Sequence, residues 1–146
     1  MSLFGGLEIS ASGLTAERLR MDVTAENLAN AQTTRGADGQ PYRRKEVVLQ
    51  QSVEGGFGAQ LTAAMGTSGG AGGVEVAAIT TDQTEGKLAY DPGHPDADAQ
   101  GYVRMPNVDT VTEMVDLIDA QRAYEANVTA MSASKQMFAK TLEMLR

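Results

Sequence analysis

The chain has 146 residues, no cysteine, no tryptophan and a formal net charge of −7, with 42% hydrophobic but only 5% aromatic residues. This length fits one domain, the missing cysteine excludes disulfides and thiolate metal sites, and the acidic balance argues against nucleic-acid binding through a basic patch. No stretch reaches the ~20 apolar residues of a membrane span, and the opening MSLFGGLEISASG has neither the basic leader nor the apolar core of a secretory signal.

Residues 4–30 read as a long helix. Leu7, Leu14, Met21 and Leu28 recur every seventh position, and Ile9, Ala16 and Val23 form a second row beside them. Such rows make an apolar stripe along one helix face. Gly5, Gly6 and Gly13 each cost ~1 kcal/mol relative to alanine, so the helix is expected to fray before Ser10 or to order against a neighbour. Glycine at these points also lets another backbone come close. The helix is expected to end near Asn30, where Gln32-Thr33-Thr34-Arg35-Gly36 breaks the period. Asn27 and Asn30 are suited to that terminus, and their side chains are expected to fix the chain's exit by hydrogen bonds.

The middle, residues 36–105, reads as an extended, β-rich insert. Residues 36–41 are turn material. The stretch YRRKEVVLQQ (42–51) reads as a strand or extended arm. Its run Arg43-Arg44-Lys45, the only basic run in the chain, reads as a solvated or partner-facing edge. Residues 52–73 are Gly/Ala-rich with an apolar island at Leu61–Met65, and are expected to be a flexible excursion that orders against a partner. Residues 74–81 alternate as a strand does. Leu88-Ala89-Tyr90 and residues 101–105 are short extended pieces on either side of a turn-dense loop, residues 91–98.

That loop holds Asp91, His94, Asp96 and Asp98, which could reach one ion. The spacing matches neither an EF-hand nor a zinc signature, and two prolines with a glycine explain the segment as a rigid turn, the preferred reading. The glycine run at 69–73 lacks the Lys-Ser/Thr of a phosphate-binding loop, and no serine sits in a G-x-S-x-G elbow. No catalytic residue, no cofactor and no resident metal are expected.

Residues 109–146 contain no glycine and no proline. Leu117, Tyr124, Met131, Phe138 and Leu145 are seven apart; Val128 and Leu142 follow four after members of that set, and Ala120 three after Leu117. The seam belongs to a helix on the order of 55 Å long. Thr110 with Glu113 forms a capping-box pattern, and Asp109 is an alternative N-cap. The expected fold is α+β: residues 1–35 and 106–146 are two long helices packed as a coiled-coil-like pair in one helical domain, with 36–105 as the insert. The seams exceed what so small a chain can bury, so they are expected to meet other copies.

Several motifs resemble a known family. Ser12-Gly13-Leu14-Thr15-Ala16-Glu17-Arg18-Leu19-Arg20-Met21-Asp22-Val23 and Glu26-Asn27-Leu28-Ala29-Asn30-Ala31-Gln32-Thr33-Thr34 are similar to the N-terminal signature of bacterial flagellar axial proteins, whose rod and hook members share the Asn-Leu-Ala-Asn core. Tyr42-Arg43-Arg44-Lys45, the loop 91–98 with Gly101-Tyr102-Val103, Met105-Pro106-Asn107-Val108, Met114-Val115-Asp116-Leu117-Ile118 and Arg122-Ala123-Tyr124-Glu125-Ala126-Asn127 resemble the C-type proximal-rod members. Gly93 and Asp109 depart from that pattern, where Ser and Asn are expected. The resemblance implies a non-enzymatic subunit, exported without cleavage through the flagellar type III apparatus. It implies assembly into a hollow periplasmic shaft that transmits torque and encloses the export channel. The implied partners are copies of itself, other rod proteins, and ring, export-gate and hook-junction proteins. Leu7, Leu14, Met21, Asn27, Leu28, Asn30, Leu117, Tyr124, Val128, Met131, Phe138, Leu142 and Leu145 are then assembly residues. Readings from other classes are a small metal- or ligand-binding module built on the loop 91–98, and a different secreted coiled-coil filament.

Overall fold

The computed structural model describes residues 3–36, 38–52 and 72–144. Among them run helix α1 (Leu3–Ala29), strands β1 (Lys45–Gln51), β2 (Val74–Thr81), β3 (Leu88–Tyr90) and β4 (Tyr102–Arg104), and helix α2 (Thr110–Met144). The chain is α+β, with two long terminal helices in contact and a small β-rich middle, as the patterning predicts. Leu145 and most of the Gly-rich stretch, including Leu61–Met65, lie outside the described residues. α1 is helical from Leu3 onward, so its glycines do not delay its start to Ser10. The Ser10 hydroxyl instead donates back to the Gly6 carbonyl at 3.0 Å.

Two compact units divide the chain, and each draws on both helices and on the β1–β2 ribbon. The first comprises Met1–Leu19, Val48–Ala78 and Ala120–Arg146. Here α1 approaches α2 at Gly13 and Asn127, and the small residues Ala120 and Ala16 are buried, the first fully and the second nearly so. A Cβ added at Gly13 would sit 3.0 Å from Asn127 Nδ2, so α1 passes close to α2 here and a larger residue would require the Asn127 side chain to shift. The ribbon runs antiparallel, since Ser52 N donates to Gly73 O at 2.8 Å while Gln50 Nε2 reaches Glu75 Oε1 at 2.5 Å. Val74 N donates to Ser12 Oγ at 3.0 Å and ties the start of β2 to α1.

The second unit comprises Arg20–Val47 and Ile79–Asp119. It holds the last turns of α1 and the first turns of α2, brought together as in a helical hairpin. The ribbon is antiparallel here too: Asp82 N donates to Arg44 O at 2.8 Å and Thr80 Oγ1 to Glu46 O at 3.4 Å. β3 pairs antiparallel with β4 in the register Leu88↔Arg104, Ala89↔Val103, Tyr90↔Tyr102. Period-two alternation turns Ala89 and Val103 inward and leaves Leu88, Tyr90 and Tyr102 outside. The two tyrosine rings meet edge to face at 5.3 Å. Gly101 adopts φ +86°, and a Cβ there would press on the Tyr90 ring at 3.0 Å, so the turn into β4 requires glycine.

α2 is capped by Asp109, whose Oδ1 accepts from Val111 N at 3.0 Å and Thr112 N at 3.3 Å. The Thr110–Glu113 capping box does not form, because the Glu113 side chain turns inward. The described interior is also unusual in content. Its buried apolar residues are Ala16, Val23, Val103 and Ala120, whereas its largest fully buried side chains are Glu113, Val103 and Asn27. Apolar burial alone is therefore modest, and a polar cluster occupies the place of a core.

Candidate assembly site

That cluster lies in the second unit, where the last turn of α1 meets the first turn of α2. Asn27 and Glu113 are each 1% exposed. Asn27 Nδ2 donates to Lys45 O at 2.8 Å and to Glu113 Oε2 at 3.0 Å. Its Oδ1 accepts from the Tyr42 hydroxyl at 2.8 Å and from Lys45 N at 2.9 Å. One side chain thus uses its full donor and acceptor capacity to join α1, the arm leading into β1, and α2. Glu113 Oε1 accepts from Arg44 Nε at 2.5 Å, and Arg44 Nη2 donates to Asp116 Oδ2 at 3.2 Å. The backbone of Arg44 is held as well, its N–H donating to Asn107 Oδ1 at 2.8 Å.

The electrostatics follow from this packing. The hydrogen bond to Glu113 holds the Arg44 guanidinium above its already high pKa, outweighing the opposing effect of burial. Burial, and then the nearby carboxylates of Glu26 and Glu113, push the Tyr42 hydroxyl up to about 12. The Glu113 carboxylate lies in the first turns of α2, where the helix dipole favours negative charge. Lys45 Nζ pairs with Glu26 Oε1 at 2.5 Å and lies 5.8 Å from the Tyr42 ring centroid.

Each member of the basic run has a partner within its own chain, and the hydrogen bonds of Arg43 and Lys45 lie exposed, as on a solvated edge. Arg44 neutralises a buried glutamate of its own chain, Lys45 pairs with α1, and Arg43 hydrogen-bonds to Gln83. Periodicity could not reveal this, because the partners lie 19 to 69 positions apart in sequence. The signal present was Glu113 itself, a charge in the register of Leu117, Ala120 and Tyr124.

The structure places the other sequence-derived residues as follows. Leu7, Leu14, Met21 and Leu28 are half-buried along α1 beside buried Ala16 and Val23. Asn30 closes α1: its Nδ2 donates to Glu26 O at 2.9 Å and its Oδ1 accepts from Thr33 Oγ1 at 3.2 Å. On α2, Leu117, Tyr124 and Met131 are half-buried, while Val128, Phe138 and Leu142 remain exposed. The apolar side chains Val111, Met114, Val115 and Ile118 are also exposed, and the seven-residue pattern did not single them out. Their i, i+3, i+4, i+7 spacing puts them on the face opposite Glu113, Leu117 and Ala120.

In the loop 91–98 the polar groups serve the turn. Asp91 Oδ1 accepts from Gly93 N at 3.1 Å, His94 Nδ1 from Asp96 N at 3.1 Å, and Asp98 Oδ1 from Gln100 N and Tyr102 N, both at 2.9 Å. The two backbone donors to Asp98 hold its carboxyl below the usual range. Asp96 Oδ2 accepts from Thr34 Oγ1 at 2.9 Å and so pins the loop to the exit from α1. Among the described residues no three His, Cys, Asp or Glu side chains are grouped to hold a metal.

Comparison with known proteins gives this geometry its context. Residues 7–37 match the family model described as flagella basal body rod protein, and residues 99–144 match that of the flagellar basal body rod FlgEFG protein C-terminal region. The first match carries Asn27 and Asn30, the second Glu113 and all of α2. The flagellar basal-body rod protein FlgC of Bacillus subtilis strain 168 is 53% identical, over 99% of each chain. Those of Escherichia coli O157:H7 and Aquifex aeolicus strain VF5 are 46% and 40% identical, covering 99% and 98% of this chain and 98% and 97% of theirs. The chain belongs to the flagellar basal-body rod protein FlgC family. Proteins of this family are structural subunits of the basal body rod, not enzymes. In the loop 91–98 the polar side chains hold a turn of a rod protein. No described helix is long and apolar enough to cross a membrane.

Proposed function

We propose that the chain is a building block of a hollow periplasmic shaft, in which residues 1–35 and 106–146 form the tube around an export channel and 36–105 lie outside it. Copies of the chain and other rod proteins are its neighbours along the shaft; ring, export-gate and hook-junction proteins adjoin it. It reaches the shaft uncleaved through the flagellar type III export apparatus, and the finished rod transmits torque. The observation that carries this reading is the pair of long helices clasped at one junction while Val128 and Leu142 of the α2 seam stay exposed. Torque needs rigid links between subunits, and an apolar seam that its own chain leaves uncovered supplies contact area for them.

In this reading Leu7, Leu14, Met21, Leu28, Leu117, Tyr124, Val128, Met131, Phe138, Leu142 and Leu145 line contacts between helices, and Asn27 and Asn30 set the angle at which the chain leaves the tube. The test uses cells whose swimming depends on this chain. Asn27→Ala with Asn30→Ala should abolish swimming with the protein still expressed. Leu142→Asp, at an exposed position, should do the same without disturbing the monomer's circular dichroism. Normal swimming in both variants would refute the reading.

A further inference from the structure

Three side chains of the loop 91–98 hold its turns in the same way. Asp91 Oδ1 accepts from Gly93 N, His94 Nδ1 from Asp96 N and Asp98 Oδ1 from Gln100 N, each from the backbone two positions on. Two of these acceptors are carboxyl groups, which accept whether or not they carry a proton. The middle one is the only histidine in the chain. An imidazole nitrogen accepts only while the ring is neutral; once the ring is protonated, both nitrogens are donors. For this type of side chain the change falls between about pH 5 and 8.

Asp96 is also where the loop is fastened. Its Oδ2 accepts from Thr34 Oγ1 at 2.9 Å and its Oδ1 lies 3.4 Å from Arg35 Nη1, so one carboxylate ties the loop to the segment that follows α1. The same Oδ2 stands 4.0 Å from His94 Nδ1. While the ring is neutral both of these atoms are acceptors, and the carboxylate turns to Thr34. A protonated ring offers it an N–H donor with a full positive charge, an attraction that the neutral Thr34 hydroxyl does not supply. The charged neighbours of the ring on its own loop are Asp91, Asp96 and Asp98; from the segment after α1, Arg35 reaches Asp96. The His94 and Asp96 side chains are 31% and 22% exposed against 70% for Arg35, so the attraction between His94 and Asp96 is the less screened.

We propose that His94 is a proton-operated latch. With the imidazole neutral, Asp96 fastens the loop 91–98 to Thr34. When the ring takes a proton from solvent, Asp96 N loses its acceptor, Asp96 Oδ2 leaves Thr34 Oγ1 for His94 Nδ1, and the fastening opens. The latch acts where the chain leaves α1, beside the Thr33 hydroxyl that donates to Asn30 Oδ1.

NMR of the isotope-labelled full-length chain tests this, and a single histidine gives the imidazole signals one source. At the upper end of the titration the ring should be the tautomer protonated on Nε2, as an accepting Nδ1 requires. Lowering the pH from ~7.5 to ~5.5, across the range in which imidazoles titrate, should move the Thr34, Arg35 and Asp96 backbone signals with the midpoint of the ring itself. His94→Asn supplies an oxygen that accepts at either pH, and there the Thr34 and Arg35 signals should hold still over the same interval. Three results would overturn the proposal: Thr34 and Arg35 signals that stay fixed while the ring titrates, a neutral ring protonated on Nδ1, or the same acid movement in His94→Asn. The first two are read from the unmodified chain, so the test does not depend on the variant's folding.

Discussion

Glu113 is an anion 1% exposed, and it is tolerated because two donors meet it: Arg44 Nε at 2.5 Å and Asn27 Nδ2 at 3.0 Å. Removing one member of such a pair leaves the other desolvated and uncompensated. Glu113→Ala should therefore lower the unfolding free energy by about 3 kcal/mol in urea titrations, the low end for a buried pair because Arg44 keeps Asp116. Asn27→Asp keeps the shape but puts a carboxylate oxygen 3.0 Å from Glu113 Oε2. It should destabilise at neutral pH despite being isosteric, and recover part of the loss in acid. Tyr42 gives a pH signature of the same sense at the alkaline end. Its folded pKa, about 12, lies above the ordinary 10.0, so the folded state keeps a proton that the unfolded state releases. That contribution is complete below pH ~10 and is lost as pH rises towards 12. Tyr42→Phe should flatten this part of the stability-versus-pH curve, measured by chemical denaturation at alkaline pH.

At the scale of the element, the two helices were legible because their patterns are long and uninterrupted. Sequence reading placed α1 at 4–30 and the structure at Leu3–Ala29; the second helix was read at 109–146 and runs from Thr110 to Met144 among the described residues. β2 and β3 matched the expected residues, since short alternating runs between turn formers have few other ways to bury one face. The start of α2 was ambiguous, and the ambiguity had a physical source. Thr110 and Asp109 are both good caps, and the choice depends on where Glu113 points, which is fixed by Arg44 from a distant segment. Asp109→Ala should therefore cost ~1 kcal/mol of stability, while Thr110→Ala should cost almost nothing, as read from thermal melts. Equal effects of the two changes would restore the capping box.

For the whole molecule, the sequence by itself determined the fold class, the two long helices, the lack of thiol chemistry and, through its motifs, the family. These properties depend on local periodicity and residue types, which are fixed once the sequence is written. It also marked a helix face too long for one small chain to cover. Only the tertiary structure decided which polar residues lie at the junction of the helices. A carboxylate at position 113 reads equally well as a cap or as an internal anchor until residues 27, 42 and 44 are brought to it. It likewise decided which apolar residues of α2 remain outside: Val111, Met114, Val115 and Ile118 have the same hydrophobicity as the seam and a helical spacing of their own. What separates the two faces is the position of α1, a long-range contact that no pattern along one helix contains.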